Sequence, residues 1–183
     1  MALLLQINLN DIQLTNYPQT GFIEIFISSY LDWPQESKIL YFADNEQART
    51  DLPPTINTVV EEPIAIRFEK CIEYMPIEDY RSNDIIKIVL QECKISEENL
   101  DEIIDLLWDE VPRECSTMCG YANFTQYDPR NSESDQDACF FKLDSLFDKK
   151  IDIGDAGILS VFCSEADIAN QQYKKMICYW DCC

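Results

Sequence analysis

The chain has 183 residues, 46% of them hydrophobic, and 34 acids against 14 bases give it a net charge of −20. That size and apolar content can bury about 70% of the unfolded surface in one domain, which excludes disorder. With no run of about 18 apolar residues, no membrane-spanning helix is expected.

The composition narrows the chemistry as well. There is no histidine, so Ser-His-Asp and Cys-His nucleophile systems, the commonest general base and imidazole-held metals are excluded. The charge repels nucleic acid and anionic membranes and attracts basic partners, although it also serves solubility alone. Nine cysteines form an odd set without an export signal, so free thiols in a reducing compartment are predicted rather than a disulfide framework. Cys115 with Cys119, and Cys178 with Cys182 and Cys183, resemble zinc half-sites only loosely. No metal or other cofactor is expected.

The opening Met1–Asn8 is apolar but lacks a basic stretch and is broken by Gln6 and Asn8. It does not read as a secretory signal, and a soluble cytoplasmic protein is expected. Leu3–Leu9, Gly21–Ser28 and Ile39–Phe42 read as strands, being rich in β-branched, aromatic and alternating apolar residues. Residues 43–63 contain Pro53, Pro54 and Pro63 and are predicted to be a long surface loop. Alternation resumes at Ile64–Phe68, which predicts a strand extending to Tyr74. The apolar run Ile85–Leu90 fits a buried strand or a helix equally well.

The next element is clearer. Leu100, Ile103, Ile104, Leu107, Trp108 and Val111 fall at helical spacing after the cap residue Ser96, and Pro112 ends the pattern, so a helix is predicted over 97–111. Its other face carries Glu97, Glu98, Asp101, Glu102, Asp105, Asp109 and Glu110, with no Lys or Arg between residues 97 and 110. Acids in a first turn suit the helix dipole, whereas Asp109 and Glu110 in the last turn oppose it by about 0.3–1 kcal/mol each when exposed. This face reads either as a solvated surface or as a dock for a basic protein. Strands return at Phe140–Leu146, Gly157–Phe162 and Met176–Trp180, and Ser164 with Asp167 forms a capping box for a short helix over 165–174. The fold class expected is α+β, mostly antiparallel, as one domain over 1–183. Its core should include Phe22, Phe26, Leu100, Ile104, Leu107, Phe141, Ile158 and Phe162.

Three of the four glycines, Gly120, Gly154 and Gly157, lie within residues 118–181 beside the polar residues Asp128, Arg130, Asp155 and Asp181. Grouped glycines mark fixed turns. Gly120-Tyr-Ala-Asn-Phe-Thr-Gln-Tyr-Asp-Pro-Arg130, Gly154-Asp-Ala-Gly157 and Tyr179-Trp-Asp-Cys182 resemble the signature of the YwqG-like family, a domain without assigned function. Leu3–Leu9 and Gly21–Ile27 resemble that family's first strands. Ala122 stands where the family usually has proline, and Ile153 where it has tryptophan. The chain also begins almost at the family's Gln-Ile-Asn strand, without the segment that usually precedes it. An uncovered first strand would invite pairing with another chain.

Three functional readings stay open from the sequence. The leading one is a non-enzymatic acidic interaction domain that docks or neutralises a basic protein. The resemblance makes an immunity-type role plausible, since some members lie in genomic neighbourhoods of secreted toxins. A second is a small-ligand or enzymatic module, with Asp128 and Arg130 binding an anionic or sugar-like group beside the Asp155 turn. In it the competing role of Asp128, Asp155 and Arg130 is to hold strand ends. A third is a structural subunit of a larger assembly.

Overall fold

The computed structural model describes residues 1–12, 14, 17–28, 36–43, 59–60, 62–110, 116–145 and 151–182. Among these described residues, two antiparallel sheets and three α-helices make an α+β architecture. The first sheet has the order β1 (Ala2–Asn8), β2 (Phe22–Ile27), β3 (Ser37–Phe42). The second runs β4 (Thr117–Met118), β5 (Ala138–Asp144), β6 (Ile158–Cys163), β7 (Ile177–Asp181).

The residues of β2 decide how the first sheet packs. Ile23, Ile25 and Ile27 are fully buried, whereas Phe22 and Phe26 are half-buried on the opposite face. The expectation that these phenylalanines are core residues is therefore corrected. Side chains alternate along a strand, and Glu24 lies between the two rings on their face. Glu24 is itself covered, and its Oε1 accepts a hydrogen bond from Gln6 Nε2 on β1 at 2.9 Å.

One apolar cluster joins both sheets. It takes Leu5 and Ile7 from β1, the three isoleucines of β2, and Phe140, Leu159, Val161 and Cys163 from β5 and β6. A register shift between Cys139 and Phe141 lets Phe140 and Phe141 both reach this core, as a β-bulge does. Phe141, Ile158 and Phe162 are buried as expected.

The ambiguous run at 85–90 is helical, forming part of α1 (Ser82–Cys93). Lys94 ends it at φ 53°, and the Ile95 N–H donates to Leu90 O. The predicted helix at 97–111 begins as one 3-10 turn, Glu97–Asn99, and continues as α2 (Leu100–Glu110). Ser96 accepts from Glu98 N through its hydroxyl, as a cap should. Leu100, Ile104 and Leu107 are half-buried rather than core. Leu107, with Ile103, lines a groove against α1 and the chain at Met75–Ile77, and none of the three belongs to the core between the sheets.

Residues 62–76 form no strand, and Ile64, Ile66, Ile72 and Tyr74 are exposed. Alternation alone does not make a strand, because its backbone groups need a neighbouring strand to bond. The helix expected over 165–174 is α3 (Glu165–Ala169) followed by a 3-10 turn, Tyr173–Lys175. Gln171 at φ 57° separates the two. Most of the predicted 43–63 loop lies outside the described residues; within the described part, Val60 bridges to Ile151.

Gly157 at the start of β6 has no room for a side chain. A Cβ there would lie 1.9 Å from Ile153 O and 3.0 Å from Asp181 O, both backbone atoms. Gly157→Ala is therefore expected to cost about 3 kcal/mol, at the upper end of overpacking effects. A urea midpoint indistinguishable from that of the parent protein would show that the turn yields freely.

Candidate functional site

The outer face of the second sheet, away from the shared core, carries an unusual set of polar side chains. Alternation puts Lys142, Ser160, Phe162, Tyr179 and Asp181 on this side. The segment 120–130 crosses it, closing a second, smaller apolar cluster of Ala122, Phe124, Cys139, Phe162 and Tyr179. Cys119 and Gly120, at φ 63° and 118°, turn the chain onto the sheet.

Three carboxylates fix this segment, two of them by accepting from its amides. Asp181 Oδ2 accepts from Thr125 N at 2.8 Å and Gln126 N at 3.1 Å. Glu73 Oε2 accepts from Tyr121 N at 3.0 Å, while its Oε1 accepts from the fully buried Lys142 Nζ at 2.8 Å. Asp128 Oδ2 accepts from Tyr80 N at 3.0 Å, tying the strap to the approach to α1.

At the centre sit two Asp-x-Arg triplets with matching local geometry. In Asp128-Pro129-Arg130, Asp128 Oδ1 accepts from Arg130 N and Nε, both at 2.9 Å, and Oδ2 accepts from Nη2 at 2.8 Å. In Asp79-Tyr80-Arg81, Asp79 Oδ1 accepts from Arg81 N at 3.1 Å and Nε at 2.7 Å, and Oδ2 accepts from Nη2 at 2.6 Å. Such forked pairs are the strong form of the ionic hydrogen bond. Arg130 Nη2 also reaches Asp79 Oδ2 at 3.0 Å, so each triplet bonds the other: a guanidinium one way, an amide the other.

Aromatic rings enclose the charges. The Arg130 guanidinium lies 4.6 Å from the Phe162 ring centre, and the Tyr80 ring lies 5.2 Å from Arg130 and 5.4 Å from Arg81. Ring faces attract cations when water is excluded. The Asp79 and Arg130 side chains are nearly inaccessible. Burial pushes the Asp79 carboxyl upward, but hydrogen bonds from Arg81 and the Arg130 charge outweigh it and hold the group below the usual aspartate value. Arg130 Nη1, Asp181 Oδ1 and Thr125 Oγ1 are buried with no partner among the described residues.

The family model matches residues 1–182, almost the whole chain, with this strap and the sheet beneath it inside the match. The chain belongs to the family described as domain of unknown function DUF1963. No curated protein matches it.

Of the residues singled out from the sequence of this DUF1963 chain, Asp128, Arg130 and Asp181 come together on the outer face of the second sheet. There they hold backbone amides or one another. Asp155 stands apart on an exposed turn between Gly154 and Ala156. Ile153, where the resembled family has tryptophan, is fully buried, and its carbonyl accepts from Trp180 Nε1 at 2.7 Å. Glu98, Asp101, Glu102, Asp105 and Asp109 are all exposed on or just before α2, outside the strap.

Sequence reasoning missed Asp79, Arg81, Glu73 and Lys142. A signal was present for the first two, because Asp79-Tyr-Arg81 repeats the Asp-x-Arg pattern of Asp128-Pro-Arg130. No comparable signal marks Lys142, which reads as the polar member of an alternating strand. The described cysteines divide by position: Cys71 and Cys93 are exposed, whereas Cys139 and Cys163 are buried. Burial pushes the Cys119 and Cys139 thiols up to about 12, so both stay protonated and pack as apolar groups at neutral pH. Among the described residues no helix is long and apolar enough to cross a membrane.

Proposed function

We propose that this chain is a non-enzymatic acidic interaction domain that docks or neutralises a basic protein, in the manner of an immunity or adaptor protein. The supporting observation is α2, whose described carboxylates Asp101, Glu102, Asp105 and Asp109 all face solvent with no base among residues 97–110. Two of the chain's acids oppose the dipole at the helix C-terminus, so folding alone gives no reason for them. The polar residues of the strap support the same reading, because Asp128, Asp181 and Arg130 spend their hydrogen bonds on the fold. The narrower YwqG-like assignment, and a cytoplasmic location, belong to this proposal.

Charge-driven association of this kind speeds encounter and weakens with salt. A tagged protein is therefore expected to retain a basic partner from a cell extract at about 0.05 M salt and release it at about 0.5 M, where screening shortens to a few ångströms. The triple variant Glu102→Gln, Asp105→Asn, Asp109→Asn should retain it poorly at either salt. Equal recovery by parent and variant would remove the basis for the proposal.

The small-ligand reading has one observation in its favour, the unpartnered Asp181 Oδ1 and Thr125 Oγ1 beneath the strap. Asp181→Asn separates it from a scaffold role: lost stability indicates scaffold, whereas a stable variant that no longer binds a ligand indicates a site. The assembly-subunit reading keeps β1, an outer strand of its sheet, as its pairing edge.

A further inference from the structure

Beside the acidic face lies an apolar groove that the fold does not fill. It has a volume of about 250 Å³ and runs between α1, α2 and the chain at 75–77, with Met75, Ile77, Ile86, Val89, Ile103 and Leu107 on its walls. Its hydroxyl, on Ser82, is already engaged, donating to Ile77 O. The groove therefore offers shape and apolar area but no directed polar contact.

Its size restricts what enters. Pockets that enclose a whole small molecule run to about 300–1,000 Å³ and carry a few fixed polar groups. This one is smaller and bare of them, which suits two or three aliphatic side chains rather than a metabolite. The apolar surface also continues past the groove. Ile88 and Leu106 are 58% and 59% exposed, and Ile85 and Val89 are 48% and 44% exposed although they line the wall. Side chains of this kind exposed together mark a contact surface.

Charge identifies the occupant. On α2 the groove row is Ile103 and Leu107, and the adjoining row is Glu102, Leu106 and Asp109, spaced i, i+4, i+7 along one ridge. Opposite, α1 carries Lys87 paired with Asp84 at 3.4 Å and the exposed Glu92, so that wall adds no excess of positive charge. An apolar slot with an anionic rim on one side is complementary to a helix with an aliphatic stripe flanked by Lys or Arg. Recognition of that type uses anchors at i, i+3, i+4 and i+7.

We infer that the α1–α2 groove is the seat of a cationic amphipathic helix, its aliphatic side chains entering between Val89 and Leu107 and its bases meeting the Glu102–Asp109 ridge. This rests on the acidic-interaction reading above and gives that reading its contact surface. Electrostatics guides the helix in, and the groove supplies the register that charge alone lacks.

The experiment uses the full chain and a fluorescent 14-residue helical peptide of Leu and Lys, leucines at i, i+3, i+4 and i+7. A scrambled peptide of the same composition and a lysine-only peptide are the controls, with anisotropy at about 0.05 M and 0.5 M salt. The patterned peptide is expected to bind at least about tenfold more tightly than either control. Val89→Glu should weaken it by about tenfold or more, even though the added carboxylate would attract a purely electrostatic ligand. Ile85→Glu, at a more exposed position, gives the same reading if Val89→Glu melts early.

If all three peptides bind alike and Val89→Glu changes nothing, the groove is not the seat, while the acidic-face proposal survives. If the patterned peptide binds through Val89 but neither salt nor the triple charge variant matters, the groove stands as an apolar site. The cationic partner and the acidic-face proposal then fall together. If the only effect of Val89→Glu is to convert a dimer into a monomer, a second copy of the chain is the occupant and the inference is overturned.

Discussion

Arg130→Ala should be the most damaging single change on the outer face of the second sheet, costing about 3–5 kcal/mol, the usual loss when one partner leaves a buried ion pair. For a chain of this size that corresponds to a fall in melting temperature of roughly 6–20 °C. The reason lies in what remains. Without the guanidinium, Asp128 loses its forked partner, Asp79 loses one of two, and the aromatic cage around them becomes a cavity. Arg130→Lys keeps the charge but not the fork, and should recover only part of the loss. Deleting Lys87 from its exposed pair with Asp84 is expected to be nearly silent. Urea denaturation of the three variants provides the comparison. A loss under about 1 kcal/mol for Arg130→Ala would mean the cluster contributes no more than a surface pair.

The same cluster sets an acid limit. Asp79 is held below its ordinary value, so the folded state binds a proton there less readily than the unfolded chain does. Its contribution to stability is complete above about pH 4, the ordinary aspartate value, and disappears as pH falls through the lowered one. Removing Arg130 takes away part of that depression. The acid-unfolding midpoint of Arg130→Ala should therefore move upward by less than its neutral-pH destabilisation alone would produce, because the difference from the parent shrinks as Asp79 protonates in both.

Phe140→Ala is the second large effect, expected at about 3–5 kcal/mol for a fully buried ring. Phe140 stands where the two sheets meet, 5.8 Å from the Tyr17 ring and 6.4 Å from that of Tyr173. Few neighbours on such a rigid site can collapse into the space. Phe26→Ala on β2 should cost much less, because that ring is half-buried on the face away from the shared core. Equal losses for the two would mean that β2 presents its other face to the core.

Much of the secondary structure was legible because strand and helix periods differ and these strands are strongly patterned. The faces were harder. In Phe22-Ile-Glu-Ile-Phe-Ile27 both faces are apolar, and only Glu24, sharing a side with the two phenylalanines, indicates which one turns outward. Helix α1 was obscured because Ile85–Leu90 is apolar nearly all round and too short to show a period. The stretch 64–74 misled in the opposite direction: its alternation is real, but no strand among the described residues pairs with it. The polar cluster was half visible. Asp128 and Arg130 stood out inside the glycine-marked segment, while Asp79 lies 49 residues earlier and meets them only through the fold. Spacing along a chain carries no information about pairs that distant.

The reciprocal bonding of the two Asp-x-Arg triplets has an evolutionary consequence. Asp79, Asp128 and Arg130 are shut away from water while Arg81 is partly exposed, so drift at the three buried positions must proceed through concerted replacement. A lineage that abandoned one aspartate would be under immediate pressure to discard the arginine it faces. Loss of both triplets at once, with aliphatic side chains in their place, is the one easy exit from the arrangement.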